Sequence, residues 1–476
     1  MLPVSDEVDG YRQHSTRRSW DKAAPLGGLH ARMKRTAPRQ TNSENACDTC
    51  VRPRIALFQA SWPLQIHTVN LAKALVGFGY RVDLYLHDVG FSYVDIGLVA
   101  EPGLTIHAWA APPSAVADCG PARGASQRAR RALKRVRILR WLVRTAKHHS
   151  RETQEWLLLC LRSRRGLIPR EALSQAIASV EAAPHVALVG VEKLGLIWAA
   201  EVSRATGVPF AYYSLELYTR EHPVSTRSAR VRRIKWFEAL SHRAAAGTII
   251  QDELRARVLL ADNGVTATQL MLLPVSVPGP ARASRTRYLH ELLSLQDGAK
   301  VVLQLGQIVE GRLSVALART AQSFPPACVL VMHGPGDPSS LAAVAEADGD
   351  DRVALSPELV SEGRLPELVA SADVGLVFYS DEFVNDRLTA RSSEKLARFL
   401  RSGVPVVAFA YPGYEVLRDY ECGVLIDDLL ELPVAVATIL ARRQIFSENA
   451  LRCFADLYDS ARFMPSVAEA LGHLSS

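Results

Sequence analysis

A chain of 476 residues, 48% hydrophobic and 22% charged, is too long for a single ordinary core and is composed like a globular protein, which excludes a coiled coil or wholesale disorder. The opening segment has no long apolar run, and no stretch reaches the ~18 uncharged apolar residues of a spanning helix, so the expectation is a soluble, cytoplasmic protein. The net charge of +7 is a local excess: fourteen Lys or Arg against two Glu lie between Arg123 and Arg165, and the rest of the chain is mildly acidic.

Residues 1–51 are polar, basic and aperiodic, and read as a flexible tail. It contains Cys47 and Cys50, the single C-x-x-C pair among seven cysteines. With no second close pair to complete four ligands, the expectation is reduced thiols and no metal. Arg54–Gln59 is a short apolar run suited to a buried parallel strand. His67–Gly79 carries Val69, Leu71, Ala72, Leu75 and Val76 at helical spacing, and Arg81–Leu86 is the next strand. This is a βαβ unit.

The basic stretch 123–165 follows, with Leu133, Val136, Leu139, Trp141 and Trp156 interleaved among its cations. It is read as a helical insertion facing an anionic membrane surface, against the alternatives of a solvated face or nucleic-acid binding. No nucleic-acid module accompanies it, so nucleic acid is not expected as a partner. Alternation then resumes with strands at 186–190, 209–213, 248–250 and 270–274 and helices at 196–207, around Trp236 and Phe237, and at 253–263. Residues 274–298, with three prolines, read as a linker. The pattern restarts with strands at 300–305, 329–333, 374–378 and 405–408. The fold class is therefore α/β, with two successive Rossmann-like domains, 52–280 and 297–440. Residues 441–476 read as closing helices that pack back towards the first domain.

Ligands of open α/β sheets bind beyond the carboxyl ends of the strands. There, Gly306 and the Gly334-Pro335-Gly336 turn allow close backbone approach, and Arg312 offers a planar fork of donors to a diphosphate. A turn glycine with a surface arginine is the plain alternative. Ser392, Ser393, Glu394 and Lys395 stand at a helix start, where free amides, hydroxyls and a cation suit phosphate; an ordinary serine cap is the alternative. In the first half, His67, Glu192 and Glu216 follow strands and are the candidate catalytic groups. A carboxylate there would orient an acceptor hydroxyl or stabilise positive charge at a sugar carbon.

Ser392-Ser393-Glu394-Lys395 through Gly403-Val404-Pro405-Val406-Val407 resembles the Ser-Ser-x-Lys…Gly-x-Pro-Val-x signature of family 4 glycosyltransferases with the GT-B fold. Gly311-Arg312, Ala372–Leu376 and Ser214–Tyr218 resemble further segments of that family. The resemblance spans roughly Arg54 to Leu440. It implies two Rossmann-like domains facing across a cleft, a nucleotide-sugar donor on the second, and transfer with retention. The implied acceptor, a lipid-linked or other glycan or a small molecule, lies on the first. No cofactor and no divalent metal are implied, because side-chain cations and a helix terminus supply the positive charge. The chain departs from the family at Arg398, where many relatives have a ribose-binding Glu; Glu394 is one turn earlier. It departs again at Gln65–Thr68, where relatives often have Gly-Gly. These departures leave a non-catalytic GT-B subunit as the rival reading. A nicotinamide enzyme is disfavoured, since no glycine follows the first strand between Gln59 and Gln65.

Overall fold

The computed structural model describes residues 52–60, 64–87, 101–109, 152–283, 285–349 and 351–474. The tail 1–51 with Cys47 and Cys50, and residues 123–151 of the basic stretch with Trp141, lie outside the described residues.

The first half runs β1 (Arg54–Gln59), α1 (Ile66–Gly77), β2 (Arg81–His87), β3 (Leu104–Trp109), α2 (152–160), α3 (Arg170–Ala182), β4 (His185–Val191), α4 (Glu192–Thr206) and β5 (Phe210–Tyr213). It continues with α5 (Pro223–Thr226), α6 (Ala229–His242), β6 (Gly247–Ile250), α7 (Glu253–Asn263) and β7 (Gln269–Leu272). After α8 (Tyr288–Leu292) the second half begins. It runs β8 (Lys300–Leu305), α9 (Ser314–Ala321), β9 (Cys328–His333), α10 (Pro338–Ala347), β10 (Val353–Ser356), α11 (Leu365–Val369), β11 (Val374–Val377) and α12 (Val384–Arg387). The chain closes with α13 (Glu394–Arg401), β12 (Val406–Phe409), α14 (Glu415–Asp419), β13 (Gly423–Ile426), α15 (Leu432–Ala441), α16 (Arg443–Leu457) and α17 (Ser460–Gly472).

The strands form two all-parallel sheets, ordered β3-β2-β1-β4-β5-β6-β7 and β10-β9-β8-β11-β12-β13. Each central strand is an unbroken apolar run because helices cover both faces: Ile55–Phe58 and Val301–Leu303 are fully buried. Strand order reverses between β1 and β4 in the first sheet and between β8 and β11 in the second. At such a reversal the helices leave to opposite faces and open a crevice at the carboxyl ends, so the fold itself selects the loops after β1, β4, β8 and β11 as the site.

Three differences from the sequence-based reading have physical causes. Strands β3, β10 and β13 stand at sheet edges, where half-exposed residues break the apolar run that marks a central strand. Helix α4 begins at Glu192 instead of Leu196, because Gly195 is a contact glycine inside the helix and not a loop residue. A Cβ there would lie 2.2 Å from the Phe58 carbonyl oxygen, so its absence lets α4 press directly onto β1. The segment 274–298 contains α8, anchored by buried Leu289, and is not wholly a linker. Helix α17 contributes Met464, Val467 and Leu471 to the core of the first sheet, and the Tyr80 hydroxyl donates to the Ala468 carbonyl at 3.0 Å.

Candidate active site

In the second half, Gly306 (φ 120°) follows β8 and Gly334 (φ 135°) follows β9, conformations that disfavour a side chain. A Cβ on Gly334 would stand 2.3 Å from the Gly306 carbonyl oxygen. The two loops are joined by bonds at 2.9 Å from the Gly306 amide to the His333 carbonyl and from the Ile308 amide to the Pro335 carbonyl. Gly306 and Gly334 line a cavity of about 480 Å³ together with Arg312, Tyr379, Glu394 and Lys395. Gly336 does not line it; this glycine instead packs against the Ile308 carbonyl.

The cations of this cavity converge on one ring. The Arg312 guanidinium stands 5.2 Å and the Lys395 ammonium 4.2 Å from the centre of Tyr379. Among the described residues Lys395 Nζ bonds only the Phe378 carbonyl, at 3.5 Å, and Arg312 lies 3.6 Å from Asp386. Burial, reinforced by the charge of Arg312, pushes the Lys395 pKa down to about 7. Two cations held together with so little compensation form a ready anion site.

The serines are used differently from the expectation. Ser393 is the cap of α13: its buried hydroxyl accepts from the Leu396 amide at 3.2 Å and meets the Tyr379 hydroxyl at 2.8 Å. Ser392 accepts from Arg255 at 3.0 Å. Neither hydroxyl lines the 480 Å³ cavity: Ser393 acts as the cap of α13, and Lys395 and Arg312 are the cations that face the cavity. Arg398 is held by Glu394 and, at 2.6 Å, by Glu362.

From the first half, His67 on α1 brings Nε2 to 3.6 Å from Glu394 Oε2, and burial lowers its pKa, which keeps the imidazole neutral near pH 7. Glu192 does not face the cleft as expected. It is the first residue of α4, at φ 58°, and its Oε1 accepts the amides of Leu215 at 2.8 Å and Glu216 at 2.9 Å. Burial raises its pKa. Its carboxylate thus fixes the 215–216 turn and leaves the cleft to Glu216. Glu216 accepts from Asn385 at 3.2 Å, not from Arg220, and lines a cavity of about 430 Å³ shared with Arg312, Tyr379 and Asp386. A third hollow, of about 580 Å³, is lined by His67, Glu394 and Arg398. Shared residues make the three hollows one continuous cleft between the halves.

Arg255, unassigned from sequence, joins the two sides of this cleft. Fully buried on α7, it donates to the carbonyls of Leu388 (2.9 Å) and Leu215 (2.8 Å), and to Ser392 (3.0 Å), Asn385 (3.3 Å) and Gln251 (2.7 Å). Its position inside the 253–263 helix gives no sign of these partners. Asn385, Asp386 and Tyr379 were equally hidden in a polar loop. Among the described residues no group of three or more His, Cys, Asp or Glu side chains is arranged to hold a metal ion.

No family model and no curated protein matches the sequence. Solved structures do match over nearly the whole chain. Sucrose-phosphate synthase from Thermosynechococcus elongatus is 15% identical, with 88% of this chain and 98% of that one covered at a TM-score of 0.59. Anabaena HepE, in complex with UDP and glucose, is 15% identical with 89% and 100% covered at 0.58. The fold is GT-B. A glycosyltransferase from Rickettsia africae shares it at 10% identity, with 89% and 98% covered and a TM-score of 0.55. In GT-B terms, Arg312, Lys395 and Tyr379 stand at the switch point of the second domain; from the first, Glu216 faces Arg312 and Tyr379, and His67 meets Glu394.

Proposed function

We propose that this GT-B chain is a retaining, metal-independent glycosyltransferase of the family 4 type, acting in the cytoplasm on a nucleotide-sugar donor. The observation that carries the reading is the convergence of Arg312 and Lys395 on Tyr379 at the switch point of the second sheet, opposite Glu216. That HepE is bound by UDP and glucose supports a donor of the same class. Both cations would receive the diphosphate. The bond from the anomeric carbon to the β-phosphate oxygen breaks with its electron pair leaving on the diphosphate, whose charge Arg312 and Lys395 neutralise. The acceptor hydroxyl oxygen bonds to that carbon on the same face, and its proton passes to the departing phosphate. Glu216 stabilises the positive charge that develops on the sugar. Neutral His67 orients the acceptor, and Glu394 meets the ribose because Arg398 is tied to Glu394 and Glu362.

The acceptor is a lipid-linked glycan, another glycan or a small molecule. The 123–165 stretch would bring the enzyme to an anionic membrane surface where a lipid-linked acceptor is found. Among the described residues no helix is long and apolar enough to cross a membrane. The test is slow hydrolysis of nucleotide sugars by the purified protein across a donor panel. Release of nucleoside diphosphate from one donor supports the enzyme. Nucleotide binding with no release from any donor contradicts it and points to a binding subunit.

A further inference from the structure

Outside the cleft, the first half carries a second cationic hollow. It has a volume of about 410 Å³ and is lined by Arg220, Arg232, Lys235 and Arg243 with Ser225, Thr226 and Trp236, and among the described residues no carboxylate lines it. Lys235 is neutralised from behind by Asp262 at 2.8 Å and Glu238 at 3.1 Å, so three arginines remain to set its sign. Among the described residues none of the three guanidinium groups is paired with a carboxylate, and the Arg220 amide donates to Asp262 at 3.0 Å. The side chain of Arg243 donates to the Asn263 carbonyl at 2.9 Å and that of Arg232 to the Thr226 carbonyl at 3.0 Å. Among the described residues the buried Arg232 Nε has no hydrogen-bond partner. Three like charges around one hollow, with a stranded donor, call for an anion with several acceptor oxygens.

An apolar surface adjoins this hollow. Trp156, Leu157 and Leu161 are 45%, 58% and 67% exposed. The patch and the hollow interlock through two stacked pairs, Arg232 over Trp156 at 4.5 Å and Arg162 over Trp236 at 5.4 Å. A free phosphate ion gives no reason for aliphatic side chains to stand in water beside its site. A bilayer does, since apolar groups enter just beneath the plane of the phosphates. The segment 215–226 also links the hollow to the cleft: Tyr218, His222 and Val224 line the cleft, and Arg220, Ser225 and Thr226 line the hollow.

We propose that Arg220, Arg232 and Arg243, with Trp156, Leu157 and Leu161 beside them, form a seat for the phosphate headgroup of an anionic phospholipid at a bilayer surface. The seat turns the 215–226 wall of the cleft towards the membrane. It deepens the membrane reading above, but is separable from the glycosyl-transfer chemistry and from the 123–151 cations.

The experiment is co-sedimentation of the full chain with vesicles of phosphatidylcholine alone or mixed with phosphatidylglycerol, at low and high salt. Wild type should bind only the mixed vesicles. The double variant Arg220→Ala, Arg243→Ala should bind about thirty-fold more weakly, at roughly 1 kcal/mol per surface cation. Trp156→Ala should lose the part of binding that survives high salt. Arg418→Ala with Arg442→Ala, an equal loss of charge on the other half, should bind like wild type. Nucleotide affinity and melting temperature should be unchanged in the hollow variant, which separates failure of this site from failure of the cleft assignment or of folding. Equal vesicle binding by wild type and the Arg220, Arg243 variant would overturn the proposal, as would equal weakening by the Arg418, Arg442 control. Tight binding of soluble glycerol 3-phosphate at the hollow, with no preference for anionic vesicles, would make the source a free phosphate and overturn the lipid assignment.

Discussion

Replacing Lys395 with methionine removes a cation that the folded protein holds at a cost. Its ammonium has one carbonyl at 3.5 Å, an aromatic face at 4.2 Å and Arg312 across the same ring, and burial takes its pKa from 10.5 to about 7. At ~1.4 kcal/mol per pH unit, the charged form is disfavoured by roughly 5 kcal/mol if fully shielded, and by about 2 kcal/mol once solvent screening of a half-buried group is counted. The folded pKa is below the unfolded one. The penalty is therefore fully present below pH 7 and fades as pH rises towards 10.5. Lys395→Met should melt a few degrees higher than wild type at pH 6 and differ little near pH 10. A bound diphosphate supplies the missing counter-charge and restores the proton. Calorimetry in buffers of different ionisation enthalpy should then find uptake of about 0.9 proton per nucleoside diphosphate at pH 8 and about 0.1 at pH 6. The uptake should vanish in Lys395→Met. A binding enthalpy independent of buffer at pH 8, or a variant that melts lower than wild type at pH 6, would show that Lys395 is not a strained cation.

Arg255→Met breaks the bonds that join α7 to the Leu388 and Leu215 carbonyls and the Ser392 hydroxyl, at a cost of roughly 3 kcal/mol, and should lower the melting temperature and enlarge the radius of gyration in solution scattering. An unchanged scattering profile would deny Arg255 its clamping role. Glu192→Ala removes the acceptor of two amides and should destabilise by roughly 2–4 kcal/mol, whereas Glu192→Gln keeps one oxygen and most of the stability and turnover. Loss of turnover in Glu192→Gln at an unchanged melting temperature would return Glu192 to the chemistry. Glu394→Gln should weaken competition by free nucleoside several-fold; equal competition against wild type and variant counts against the ribose contact.

The sequence carried the central strands because parallel strands covered on both faces are apolar without interruption, as in Ile55–Phe58 and Val301–Leu303. It was silent at β3, β10 and β13 because edge strands lose that run to solvent. In the site, Gly306, Arg312, Gly334 and Lys395 were legible because each follows a strand or opens a helix at a sheet reversal. Glu192 misled for the same reason: position after a strand gives proximity to the cleft, but not where a carboxylate spends its lone pairs. The Leu215 and Glu216 amides that claim it are 23 and 24 residues away in the chain. Arg255 was invisible, since its partners at 215, 385, 388 and 392 come together only when the two halves close on each other. Glu362 likewise acquires meaning only as a partner of Arg398.

The proposed donor site stands on Arg312 and Lys395 holding a nucleoside diphosphate in the cleft. Calorimetric titration with nucleosides, monophosphates and diphosphates of each base, into wild type and Arg312→Ala, measures that contact itself. One diphosphate should bind best. Arg312→Ala should weaken that ligand by ~1.5–3 kcal/mol, leave the matching nucleoside nearly unaffected and keep the fold. Equal affinity of Arg312→Ala and wild type for every diphosphate would take the donor away from this cleft.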